Sequence, residues 1–95
     1  MIDHLVFVAA REEASAEDIE DLVASLRNLK DTVPGVVDLS VGENFSQRSG
    51  GYTHGLFVRF ETAKDLRRYL KHPDHLAVVE KLDALTTRIV VDYEF

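Results

Sequence analysis

Cysteine is absent from this chain of 95 residues, and tryptophan is absent as well. Without a thiol the chain forms no disulfide, offers no thiolate nucleophile and has no cysteine ligand for a metal ion. A lack of disulfides is typical of proteins that work in a reducing compartment. The first residues also lack the basic and apolar segments of a signal peptide. We therefore expect a cytoplasmic protein.

Long apolar runs and an excess of positive charge are also missing. No stretch of the sequence approaches the roughly 20 apolar residues that cross a bilayer. The formal net charge is −6 and the isoelectric point is about 5.1. An acidic surface repels phosphate backbones, and the basic residues Arg67, Arg68 and Lys71 lie on a predicted helix among acidic ones. We expect neither a membrane nor a nucleic-acid partner.

The residues that are present follow the pattern of a single globular domain spanning residues 1–95. Alternating apolar residues predict strands, and apolar residues three or four apart predict helices. Ser15 and Thr62 are each followed three residues later by an aspartate, which is typical of a helix start. The predicted strands are 2–10, 36–43, 52–60 and 88–95, and the predicted helices are 15–30, 62–70 and 74–82.

The apolar spacing also predicts the buried side of each helix. In the first helix this side consists of Ile19, Leu22, Val23, Leu26 and Leu29. In the second helix it consists of Leu66, Tyr69 and Leu70, and in the third of Leu76, Val79 and Leu82.

The order of elements is strand, helix, strand, strand, helix pair, strand. Two repeated β-α-β units in this order predict the ferredoxin-like βαββαβ sandwich of the α+β class. Helices cover one face of such a sheet, yet the predicted strands are apolar on both faces. A second copy related by two-fold symmetry is the simplest cover for the bare face. We therefore expect a homodimer that forms an α+β barrel.

Four histidines and one tyrosine are the residues best suited to chemistry. His4 and His54 lie on the first and third strands, which are central and adjacent in this fold, so we expect them side by side. The segment from Tyr69 through His72 to His75 would then pass above them. Imidazole titrates near neutral pH, so such a pocket suits proton transfer.

Two other interpretations of these histidines remain. A histidine in a small domain is more often a hydrogen-bonded structural residue, and a tyrosine on an apolar helix stripe more often belongs to the core. His72 and His75 are three residues apart, with His4 or His54 as a third metal ligand. However, Pro73 breaks the helical spacing and no acidic residue is an obvious partner. We expect no metal and no cofactor.

Several stretches of the sequence resemble the stress-responsive A/B barrel (Dabb) family. The most distinctive combination is a Gly-Tyr-Thr-His motif upstream of a tyrosine that precedes a His-Pro-x-His segment. The resemblance extends over nearly the whole chain, at Ile2-Asp3-His4-Leu5-Val6-Phe7, Val33-Pro34-Gly35-Val36, Gly42-Glu43-Asn44, Gly51-Tyr52-Thr53-His54-Gly55, Tyr69-Leu70-Lys71-His72-Pro73-Asp74-His75 and Val91-Asp92-Tyr93-Glu94.

The resemblance implies a dimeric α+β barrel without implying one activity. The family includes plant stress proteins and a plant polyketide cyclase, in which a histidine base oriented by a tyrosine drives an intramolecular aldol condensation. By resemblance His75 is the base and Tyr69 its partner, and His4 and His54 match two further pocket histidines. The cyclase has another pocket tyrosine near position 26 or 27, where this chain has leucine and arginine. The resemblance therefore does not extend to the cyclase's substrate.

Two functions fit these residues. The sequence alone favours a non-catalytic dimer that binds a small apolar molecule or simply packs these side chains in its core. The alternative is a cofactor-free cyclase or lyase in which His75 deprotonates a β-carbonyl compound and His4 or His54 stabilises the enolate. A haem-dependent or cofactor-free oxygenase is a more distant third. An open pocket of about 300 Å³ or more would favour a binder or an enzyme.

Overall fold

The computed structural model describes residues 1–95 and consists of a four-stranded sheet with three helices packed on one face. In chain order the elements are β1 (Ile2–Ala10), α1 (Ala16–Thr32), β2 (Val36–Glu43), β3 (His54–Phe60), α2 (Ala63–Lys71), α3 (Pro73–Leu85) and β4 (Thr86–Glu94). The predicted order of elements is therefore confirmed.

The strands lie in the order β2-β3-β1-β4, and each neighbouring pair is antiparallel. This is the ferredoxin-like arrangement of the α+β class, with β1 and β3 in the centre as the sequence predicts. Several boundaries differ by one to three residues; the fourth strand, for example, begins at Thr86 rather than Arg88. The third strand begins at His54 rather than Tyr52, and the Tyr52 ring lies 6.1 Å from that of Phe7, on the face without helices.

Each helix begins at a residue whose side chain accepts a backbone hydrogen bond. Ser15 Oγ accepts from the N–H of Asp18, and Thr62 Oγ1 accepts from the N–H of Asp65. These two caps confirm the predicted helix starts. At the third helix His72 takes the same role, since its Nδ1 accepts from the N–H of Asp74. With Pro73 at the first helical position, this cap separates α2 from α3.

A core of 16 apolar residues lies between the sheet and the helices, and the predicted residues Leu22, Leu26 and Leu29 belong to it. Two other predictions about helix faces are wrong, because Leu70 and Leu76 are 37% and 51% exposed. The third helix begins one residue earlier than predicted, and the side that faces the sheet consists of His75, Val78 and Leu82. Apolar residues occur all round this short helix, so spacing alone selected the wrong stripe.

The other face of the sheet carries no helix and is largely apolar. Its exposed side chains include Phe7, Ile89, Val91, Tyr93 and Phe95, which are 43–61% accessible to solvent. One charged pair interrupts this surface, where Arg59 Nε and Nη2 lie 2.7 and 3.0 Å from the carboxylate of Asp3. None of the helices is long and apolar enough to cross a membrane.

Candidate functional site

Three of the predicted site residues meet between the sheet and the helices. His4 comes from β1, Tyr69 from α2 and His75 from α3. The ring centres of Tyr69 and His75 are 4.4 Å apart, and those of His4 and Tyr69 are 5.9 Å apart. Tyr69 is fully buried, while His4 and His75 are 3% and 9% exposed. We call these three residues the His–Tyr cluster.

Hydrogen bonds determine which nitrogen of each cluster imidazole carries a proton. His75 Nδ1 lies 3.2 Å from the carbonyl oxygen of Leu70, which only accepts, so this nitrogen donates. His4 Nδ1 lies 2.5 Å from a carboxylate oxygen of Asp92 and donates in the same way. Nε2 of neutral His75 therefore carries the lone pair and is the basic atom of the ring.

Burial lowers the pKa of His75 and raises the pKa of Tyr69. Loss of solvent lowers the pKa of His75, an effect that the hydrogen bond to the Leu70 carbonyl opposes and the charge of His4 reinforces. The imidazole of His75 is therefore mostly neutral at pH 7 and able to accept a proton. Burial also raises the pKa of Tyr69 well above its usual value, so its phenol stays protonated. A neutral base and a phenolic donor thus lie side by side.

The hydroxyl of Tyr69 has no hydrogen-bond partner. It is the one buried side-chain polar atom of the molecule left in this state. An unpaired hydroxyl in a protein interior is unfavourable by about 1–3 kcal/mol, which is why buried hydroxyls are normally paired. The cluster therefore contains a donor that the protein itself does not satisfy.

His54 does not belong to this cluster, and the expectation that it lies beside His4 is wrong. Both side chains are on the helix-covered face, but His54 pairs with Val8, four residues along β1 from His4. At about 3.3 Å per residue the two are roughly 13 Å apart along the strand. Strand parity was predictable from sequence, whereas the register that separates them was not.

At its own position His54 has a defined tautomer. The Thr53 hydroxyl donates to the carbonyl of Val8 and accepts from the N–H of Ala10. It can then only accept from His54 Nδ1, which is 2.9 Å away, so Nε2 of neutral His54 carries the lone pair. His54 lines two open clefts of about 460 and 650 Å³, which also share Gly42 and Glu43.

The four main clefts of the molecule do not include any residue of the His–Tyr cluster. His72, expected to help close a pocket over the cluster, instead lines a separate surface cleft of about 300 Å³, and its Nδ1 is occupied in capping α3. The cluster is therefore packed by its own side chains. No group of three or more histidine and acidic residues is arranged to hold a metal ion.

Asp92 is the residue that the sequence interpretation missed. It lies directly across from His4 in the β1–β4 pairing and is the hydrogen-bond partner of that imidazole. The available signal was an acidic residue inside the apolar run from Ile89 to Tyr93. Carboxylates commonly orient an imidazole in this way, but linking the two positions required the pairing of the first and last strands.

The fold and the cluster together define a ferredoxin-like α+β subunit with two imidazoles and a phenol enclosed between its sheet and its helices. The chain belongs to the stress responsive A/B barrel domain family, because the sequence model of that family matches residues 2–95. The family resemblance found in the sequence is therefore confirmed.

Individual relatives are distant. Olivetolic acid cyclase from Cannabis sativa is 27% identical over 77 residues, which make up 79% of this chain and 76% of the cyclase. A dimeric ferredoxin-like protein of unknown function from Jannaschia superposes with a TM-score of 0.86 at 29% identity, covering 99% of this chain and 98% of that one. A hydroxynitrile lyase from Passiflora edulis has a TM-score of 0.88 at 22% identity, covering 97% and 90% of the two chains. The last similarity shows the fold alone.

Proposed function

We propose that this protein is a homodimer that binds a small organic molecule at the His–Tyr cluster. The observation that carries the proposal is the buried, unpaired hydroxyl of Tyr69 beside a neutral imidazole. A phenylalanine would fill nearly the same volume without leaving a polar atom unsatisfied. A ligand oxygen that accepts from the hydroxyl would give this atom the partner that it lacks.

The bare sheet face supports the homodimer. Exposed apolar side chains on one contiguous face mark an interaction surface, and two sheets that pack face to face bury such surfaces together. The Jannaschia protein with the same fold is described as dimeric. A second copy is therefore the partner that we infer for this face.

The arrangement of protons in the cluster favours a carbonyl compound as the ligand. Its oxygen would accept from the Tyr69 hydroxyl, which burial keeps protonated. Its α-carbon would then face a base, since Nε2 of His75 carries a lone pair. Removal of the α-proton by this nitrogen would move the C–H electron pair into an enolate, whose oxygen the phenol would stabilise. We infer a cofactor-free cyclase- or lyase-type reaction in which His75 is the general base and Tyr69 the hydrogen-bond donor.

In this scheme His4 would lie beside Tyr69 and would not act on the carbonyl compound directly. Its Nδ1–H donates to Asp92, which fixes the orientation of the ring beside Tyr69. His54 lies too far along the sheet to touch the same carbonyl group. If His54 takes part in binding, it would contact a distant portion of a longer molecule from the neighbouring cleft.

One observation favours the non-catalytic alternative, in which the cluster is only part of the core. None of the four main clefts reaches His4, Tyr69 or His75, so none of these clefts leads a ligand directly to the cluster. Entry is most direct beside His75, which retains some exposure while Tyr69 has none.

Exchange of α-protons for deuterium separates the two alternatives. Ethyl acetoacetate in D₂O serves as the probe, and NMR follows its exchange above the rate in buffer. We expect acceleration by the wild-type protein, none by His75→Gln, and the wild-type rate for His72→Asn, which removes an imidazole outside the cluster but keeps a capping side chain. Exchange at the buffer rate in all samples, with unchanged resonances of the cluster residues, would contradict the proposed function.

A further inference from the structure

The end of α2 and the start of α3 contribute basic side chains to a surface cleft. Arg68, Lys71 and His72 line this cleft together with Val33 and Pro34, the two residues that follow α1. No aspartate or glutamate lines it, although acidic residues outnumber lysine and arginine by 17 to 11 in the whole chain. We call these five residues and the space of about 300 Å³ between them the basic cleft.

The polar side chains of the basic cleft are hydrogen-bond donors. A guanidinium and an ammonium group carry donor hydrogens and no acceptor. His72 is also a donor, because its Nδ1 accepts from the backbone N–H of Asp74 and the proton of the neutral ring is therefore on Nε2. Two of these donor groups carry a permanent positive charge. An acceptor with a negative charge is therefore the partner that suits the cleft.

The charges of the basic cleft are not neutralised within the subunit. Lys71 takes part in none of the ion pairs of the molecule. Arg68 Nη1 lies 3.9 Å from Asp65 Oδ1, and the arginine side chain is 64% exposed, so this pair contributes little to stability. Asp74 Oδ2 lies 3.9 Å from His72 Nδ1, the nitrogen that the helix cap already occupies. A ligand anion would therefore meet little competition from the protein's own carboxylates.

The remaining lining favours an organic ligand over an inorganic ion. Val33 contributes branched methyl groups and Pro34 a ring, and the methylene stems of Arg68 and Lys71 are apolar as well. The volume of about 300 Å³ is at the lower end of the range for small-molecule sites and roughly ten times the space of one water molecule. A phosphate or carboxylate group alone would leave most of this volume unfilled.

We propose that the basic cleft binds a small organic anion, in which a carboxylate or phosphate group on a compact apolar body receives hydrogen bonds from Arg68, Lys71 and His72. The planar fork of an arginine matches either kind of group. A polyanion such as a nucleic acid suits the site poorly, because the chain as a whole carries a net charge of −6. The basic cleft shares no residue with the His–Tyr cluster, so the proposal goes beyond the proposed function and does not depend on it.

A ligand in the basic cleft would join two parts of the fold. Val33 and Pro34 lie at the end of α1, whereas the three basic residues lie where α2 meets α3. A ligand that contacts both parts is bound by the folded chain and lost on unfolding. Its binding should therefore raise Tm as its concentration increases.

NMR titrations at low salt and neutral pH test the proposal, with phenyl phosphate and benzoate as probes. For at least one probe, the backbone resonances of Val33 and of residues 68–72 should shift until they saturate, and Tm should rise over the same concentrations. Inorganic phosphate lacks the apolar body and benzyl alcohol lacks the charge, so each should bind at least threefold more weakly. The probe that binds more tightly identifies the anionic group, and added NaCl should weaken its binding.

Paired substitutions on α2 locate the site. Arg68→Gln with Lys71→Gln should raise the Kd of the tighter probe tenfold or more. Lys64→Gln with Arg67→Gln is the matched control, because it removes the same charge from exposed positions outside the cleft, and it should change the Kd less than threefold. Equal weakening by both pairs, or shifts that never saturate with either probe, would overturn the site. Inorganic phosphate that binds as tightly as phenyl phosphate would overturn the organic ligand class.

Discussion

Replacing Tyr69 by phenylalanine should stabilise the protein. The Tyr69 side chain is fully buried against His4, Phe60 and His75, and its hydroxyl has no partner. Burial of an unpaired hydroxyl costs about 1–3 kcal/mol, and the small void that phenylalanine leaves offsets part of the gain. We expect a net increase of about 1 kcal/mol in the free energy of unfolding. For a domain of this size that corresponds to a rise of roughly 4–8 °C in Tm.

Thermal unfolding followed by circular dichroism measures this shift, at one fixed protein concentration because the proposed homodimer would make the apparent stability depend on concentration. Tyr93→Phe is the matched control, since it removes a hydroxyl that donates to the Asp3 carboxylate at 3.2 Å. The control should lower Tm while Tyr69→Phe raises it. If both variants lost stability to a similar extent, the Tyr69 hydroxyl would have a partner in the folded protein, and the reasoning from its unpaired state would be refuted.

Three further predictions follow from single residues. Because the folded state lowers the pKa of His75 below its ordinary value of 6.5, the unfolded chain takes up a proton first as the pH falls. The free energy of unfolding should therefore decrease below about pH 6.5, by at most about 1.4 kcal/mol per pH unit, until His75 of the folded protein also becomes protonated. Urea titrations at a series of pH values should show that His75→Gln flattens this dependence. Leu22→Ala, at a core position that is 2% exposed, should cost about 2–5 kcal/mol in the same titrations. Gly35→Ala should cost about 1–3 kcal/mol, because Gly35 has φ +91° and a Cβ there would lie 3.2 Å from Asp65 Oδ1, whereas Gln47→Ala on the exposed loop should change little.

The fold was predictable because local signals agree with one another. Ser15 and Thr62 fix the starts of two helices, Pro73 marks the break between the second and third, and strand alternation gives the buried faces. The outward positions of Leu70 and Leu76 were not predictable, since the orientation of a short helix depends on what it packs against. Here the inward stripe contains a histidine in place of a leucine.

The candidate site was only partly predictable. Residue type and strand parity correctly predicted that His4, Tyr69 and His75 lie close together. Strand parity alone could not show that His54 pairs with Val8, four residues along β1 from His4, because register depends on long-range pairing. The contribution of Asp92 was hidden for the same reason, since it reaches His4 only through the pairing of the first and last strands.

The most direct test of the proposed chemistry is the protonation state of the His75 ring in the folded protein. Long-range ¹H–¹⁵N NMR spectra distinguish a nitrogen that bears a proton from one that bears a lone pair. We predict a protonated Nδ1 and an unprotonated Nε2 for His75 at pH 7, because Nδ1 donates to the Leu70 carbonyl and burial favours the neutral ring. A His75 ring with a protonated Nε2 at this pH would have no lone pair at the proposed basic atom and would contradict its assignment as the general base.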